Sequence, residues 1–202
     1  MLIAATSVDW KRIADWAAAV VAGDAEPIAA EFARAGGAAP ELMWDPPLDS
    51  LPEGPLRALA AHWNSLRGNL GVLPHLRQID PVYLRPALGY VVLLDAIDGG
   101  RDFRYRLFGS AIAGVSGFDM TGRLASELPV SPHVAEFVVA LHRAVVARRA
   151  PLYAARWPIG ALKTVSWQRI ALPLVDDDNA VVRLVGGVTP VAYAGRLIWT
   201  PL

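Results

Sequence analysis

The stretch Leu76–Arg123 limits the fold more than any other part of the chain: LRQIDPVYLRPALGYVVLLDAIDGGRDFRYRLFGSAIAGVSGFDMTGR. Gly89 to Ala96 is apolar without a break up to Asp95, the pattern of a strand covered on both faces. Asp98-Gly99-Gly100 then gives a strong hairpin signal. The return strand alternates, with Phe103, Tyr105 and Leu107 on one side and Arg104, Arg106 and Phe108 on the other. Ser110 can cap a short helix carrying Ile112 and Val115, where Gly114 and Gly117 permit close packing or a tight exit. A hairpin that feeds a helical cover builds a small closed cup.

The flanking segments extend this plan. Ser7 can cap a first helix with Trp10, Ile13, Ala17 and Val20 at helical spacing, stopped near Gly23. A second, alanine-rich helix follows Pro27 and runs to Gly36-Gly37. Five prolines between Ala38 and Pro55 mark an extended linker, with Trp44 as an anchor. Leu56 to Leu66 reads as a helix with Leu56, Leu59, Trp63 and Leu66 on its apolar stripe. Ser131-Pro132 opens the longest helix, where Val134, Val138, Leu141 and Val145 form one buried stripe. Three strands complete the pattern, at 152–157, 164–172 and 181–189, with a solvated turn at Asp176–Asn179. Paired strands, a helical crossover and a meander make an α+β domain with one antiparallel sheet and helices on one face. The organisation expected is a helical extension and Pro-rich linker over 1–55, a main domain over 56–190 and a tail over 191–202.

Composition narrows the chemistry. The chain contains no cysteine, so disulfides, thiolate nucleophiles and cysteine-held metals or clusters are excluded. Nineteen basic and nineteen acidic residues cancel, so no global field favours nucleic acid. No apolar run approaches the length of a membrane span, and the apolar start is too short for a signal peptide. A cytoplasmic protein is expected.

Several motifs together resemble a bacterial PAS-domain family typified by an initial R-x-D-I-D-P element. They are AHWNSLRG, RQIDP, GYVVLLDA, FRYRLFGSAI, GFDMTGR and WQRIALPL, in that order over roughly 61–189. The resemblance implies a PAS fold, a five-stranded antiparallel sheet whose concave face is covered by helices. It also implies a sensory or regulatory input module in signal transduction, non-enzymatic, working through a ligand, a signalling protein partner or both. Similar domains use an N-terminal helix to form a homodimer.

Within such a cup, Tyr105, Phe118, Trp157 and Trp167 are positioned either to line a small-molecule cavity or to fill the core. His142 reads first as a histidine on the helix surface or rim, and otherwise as an axial haem ligand. Arg169 is either a buried structural arginine paired with Asp80 or Asp95, or the holder of a ligand carboxylate. Arg104 and Arg106 share a strand face that is either solvated or receptive to an acid. The expected ligand is small and mostly apolar. No cofactor identity, metal site or catalytic residue is assigned. Two alternatives remain: a small cone-shaped α+β enzyme using Asp80 or Asp95 as base, and a ligand-free scaffold or dimerisation adaptor. The scaffold predicts an exposed apolar patch around Trp10, Trp16, Trp44 or Trp199.

Overall fold

The computed structural model describes residues 7–67, 71–156 and 166–191. Helix α1 (Trp10–Ala22) starts at Asp9, whose carboxylate accepts hydrogen bonds from the Lys11 and Arg12 amides, two residues after the expected Ser7 cap. It ends at Gly23, which takes the left-handed conformation. Helix α2 (Glu26–Arg34) buries Ile28 and Phe32.

The Pro-rich segment is more than a linker. Its residues Glu41–Trp44 form strand β1, which pairs antiparallel with β4 (Leu152–Arg156), Trp44 opposite Leu152. Trp44 anchors the segment, donating its indole N–H to the Val20 carbonyl at 3.1 Å. The remaining strands are β2 (Val91–Ile97), β3 (Asp102–Phe108), β5 (Ser166–Val175) and β6 (Val181–Val191). The sheet order is β1-β4-β5-β6-β2-β3, with every neighbouring pair antiparallel. The α+β antiparallel fold is as expected, but the sheet has six strands rather than five. The sixth exists because β4 would otherwise present an open edge, and the extended segment satisfies its backbone groups. At the other edge, β3 exchanges backbone hydrogen bonds with Gly122 and Arg123.

Helices cover both faces of the sheet, not one. Strand alternation sends Val92, Leu94, Leu152, Ala154 and Leu184 into one core with α1, α4 (Ser110–Ser116) and α5 (Pro132–Arg148). The alternate residues Val91, Tyr153, Ile170, Leu172 and Val185 form a second core with α3 (Pro55–Arg67). Trp63 of α3 is fully buried and donates to the Pro173 carbonyl at 3.0 Å. Gly187 makes this approach possible, since a Cβ there would lie 2.6 Å from Leu56 Cδ2. The double covering explains why β2 is apolar on successive residues.

Helix α5 has no single buried stripe. Ten of its residues are buried, because α1 packs on the side the sheet leaves uncovered. Two charged contacts tie these helices. The buried Glu136 carboxylate accepts from the Asp9 amide at 2.8 Å and from Arg12 Nη1 at 3.0 Å. The apolar stripe of α1, which the resemblance suggests for dimerisation, therefore packs within its own chain.

Candidate ligand cavity

A cavity of about 390 Å³ lies between the first face of the sheet and helices α4 and α5. Its apolar wall includes Val92 of β2, Ile112 and Val115 of α4, and Val134 and Val138 of α5. The strands supply the rest: Tyr105 and Phe108 from β3, Arg156 from β4, and Trp167 and Arg169, two apart on one face, from β5.

Phe108 reaches the cavity through a β-bulge. Leu94 pairs with Tyr105 but Leu93 pairs with Leu107, which leaves Arg106 as the extra residue. The slip reverses the faces expected for the last two residues. Leu107 is 42% exposed, while Phe108 turns in to meet Tyr105 edge-on at 5.3 Å and Phe118 at 6.1 Å. One inserted residue thus exchanges an aliphatic wall for an aromatic one.

Arg156 and Arg169 are the cationic groups of the lining, and no carboxylate lines the cavity among the described residues. Arg169 lies over the Phe137 ring at 5.8 Å and Arg156 over Phe32 at 5.3 Å. Burial, aided by repulsion from Arg156, lowers the Arg169 pKa to about 10, so it remains a cation at neutral pH. Burial pushes Tyr105 up to about 12, against a smaller opposing pull from Arg169, and keeps it a neutral phenol.

His142 is buried, contrary to the surface reading, because it lies one turn beyond Val138 on the sheet-facing side of α5, against Leu94, Leu152 and Ala171. It meets Phe103 edge-on at 5.1 Å, and its Nδ1 has no hydrogen-bond partner among the described residues. Burial first, then the Arg169 charge, lowers its pKa to about 3. It borders a separate void of only about 30 Å³, which shares Val92, Tyr105, Val138 and Arg169 with the larger cavity. A haem does not fit this space, and the edge-on ring packing suits a neutral core histidine.

A family model described as PAS domain matches residues 52–189. The chain belongs to the PAS-domain family. PAS domains are in general sensory and regulatory modules, typically non-enzymatic. No curated protein and no solved structure matches the chain.

Of the candidate site residues of this PAS domain, Tyr105, Phe118, Trp167 and Arg169 stand together on the cavity wall, and His142 borders the smaller void. Trp157 lies outside the described residues. The pairing foreseen for Arg169 is not made. Asp95 instead accepts from Arg106 at 2.8 Å and Arg183 at 2.7 Å on the far side of the sheet. Desolvation would raise the Asp95 pKa, but hydrogen bonds from these two arginines hold it below the usual carboxylate value. Asp80 caps its own turn by accepting from the Val82 amide at 2.8 Å. Neither aspartate lines the cavity, so the enzyme alternative lacks the base it invoked. The outer-face pair is likewise occupied within the chain, since Arg104 donates to the Gly122 carbonyl at 2.9 Å.

The exposed patch expected for a scaffold is also missing at the described tryptophans. Trp16 is buried, and Trp10 and Trp44 lie under Arg101 and Arg148 at 5.0 and 4.6 Å. Trp199 lies outside the described residues. Arg156 and Phe108 are among the wall residues that escaped the sequence reading. Arg156 was detectable by carrying the alternation of Leu152 and Ala154 two positions further. Phe108 was not, because a bulge has no reliable local sequence signal. No helix among the described residues is long and apolar enough to cross a membrane.

Proposed function

We propose that this PAS domain senses a small, mostly apolar molecule in the cavity between β-sheet and α5 and passes occupancy to a partner protein. The observation that carries this reading is the cavity itself. Its volume, about 390 Å³, falls within the roughly 300–1,000 Å³ usual for small-molecule sites, and aromatic and aliphatic side chains dominate its wall. The route for a signal is α5. Val134 and Val138 face the cavity, while Glu136, two residues from each and on the opposite side of the helix, holds the start of α1. A ligand that favours one position of α5 shifts the α1 contact by its differential affinity for the two positions. A cytoplasmic location and a homodimer belong to the same reading. A dimer built on α1 would require that helix to leave α5.

Native mass spectrometry of the purified protein, paired with Val138→Phe to fill the cavity, tests the reading. Wild-type protein is expected to carry or accept a small apolar molecule that the variant rejects while keeping its fold. A wild type that accepts no apolar probe overturns it.

A further inference from the structure

Arg156 and Arg169 form a cationic pair that has no counter-charge among the described residues, at the wall of a mostly apolar cavity. Arg156 stands opposite Trp167 and Arg169 opposite Ala154, so the two arginines are diagonal neighbours on one face of β4 and β5. Among the described residues neither makes an ion pair and neither donates a hydrogen bond. The acids on the adjoining helices are committed elsewhere: Glu31 to Arg34 and Arg12, Glu136 to Arg12. The segments 1–6, 68–70, 157–165 and 192–202 contain no aspartate or glutamate, so no acidic side chain there can complete the pair. Two half-buried guanidinium groups without a counter-charge are costly to keep in a folded protein.

On the reading that the cavity takes a small molecule, we propose that this molecule is an amphipathic organic acid. Its carboxylate sits between Arg156 and Arg169, and its apolar body lies along Phe108, Phe118, Val134 and Val138. The guanidinium fork suits a carboxylate because two parallel N–H donors meet its two oxygens. The apolar wall selects against small hydrated anions, which would lose water and gain no burial. Desolvation first, and then repulsion between the two like charges, lower the Arg169 pKa in the free protein. An entering anion relieves that repulsion.

Titration calorimetry on the full chain near neutral pH tests this with octanoate, 1-octanol, octylammonium and acetate. Octanoate is expected to bind at least about 10-fold tighter than 1-octanol, the size of effect a charge-assisted hydrogen bond supplies. Octylammonium and acetate are expected to bind more weakly still. Arg156→Gln and Arg169→Gln should each weaken octanoate about 10- to 100-fold and leave 1-octanol within about 3-fold. The ligand-free variants should melt at or above the wild-type temperature, since each loses a half-buried charge that faces a like charge. Equal binding of octanoate and 1-octanol, unchanged octanoate affinity in both variants, or a lower melting temperature in both would overturn the acid assignment and leave the cavity reading intact. Failure of every octyl probe to bind would overturn both.

Discussion

His142 is neutral in the folded protein and cationic when unfolded at mildly acidic pH, and this has a thermodynamic consequence. Its pKa falls from 6.5 to about 3 on folding, through burial and then the Arg169 charge. Between those values the unfolded chain binds a proton that the folded chain refuses, so stability falls as pH drops through the window. His133, whose pKa is also lowered, mainly by burial, adds a loss of the same sign. We expect the urea midpoint to decline between about pH 7 and 5, above the range where carboxylates titrate. His142→Leu should flatten much of that slope. A variant with the wild-type slope would show that His142 does not carry it. The fork between histidine on a surface and histidine in a core was undecidable from the helix alone, because the docking of α5 on the sheet determines whether the side carrying His142 is covered.

Among the elements, α4 is the short helix that closes one end of the cavity, and its entry and interior tolerate very different changes. Gly109, just before α4, touches the backbone of Gly89, and a Cβ there would fall 2.3 Å from the Gly89 carbonyl oxygen. Backbone cannot yield as a side-chain tip can, so Gly109→Ala should destabilise by about 1–3 kcal/mol, the usual range for overpacking. Gly114 lies within the helix with open space where its Cβ would go. Gly114→Ala should stabilise by about 0.5–1 kcal/mol through helix propensity. Urea unfolding of the two variants checks both signs. Destabilisation by both would mean that α4 tolerates no added bulk anywhere. The sequence offered Gly114 and Gly117 for close packing or a tight exit; Gly117 makes the exit in the left-handed conformation, but the close approach is at Gly109, against the backbone of Gly89.

At the scale of the molecule, the family match begins at residue 52, yet the first core does not. Ile13, Trp16, Val20, Ile28 and Phe32 all belong to the cluster that contains Phe137 and Val138. Each large side chain returned to water costs about 1.5–3 kcal/mol. Five of them together approach the roughly 5–15 kcal/mol that holds a typical domain folded. A chain starting at residue 39 should therefore lose its cooperative melting transition by circular dichroism. A sharp transition within a few degrees of the full chain would show that α1 and α2 are dispensable to the fold.

Local pattern alone determined five of the strands, the hairpin at Asp98–Gly100 and the antiparallel α+β class, and it put Tyr105, Phe118, Trp167 and Arg169 forward without deciding between cavity and core. Those features depend on alternation and turn chemistry, which act over a few residues. Tertiary structure decided the sixth strand, the second core under α3, the burial of His142 and the lack, among the described residues, of a counter-charge for Arg156 and Arg169. Each of those depends on which distant segment arrives to cover a face, fill an edge or supply a charge. A short stretch of sequence specifies what a side chain can offer; only the assembled fold determines whether anything within reach accepts it.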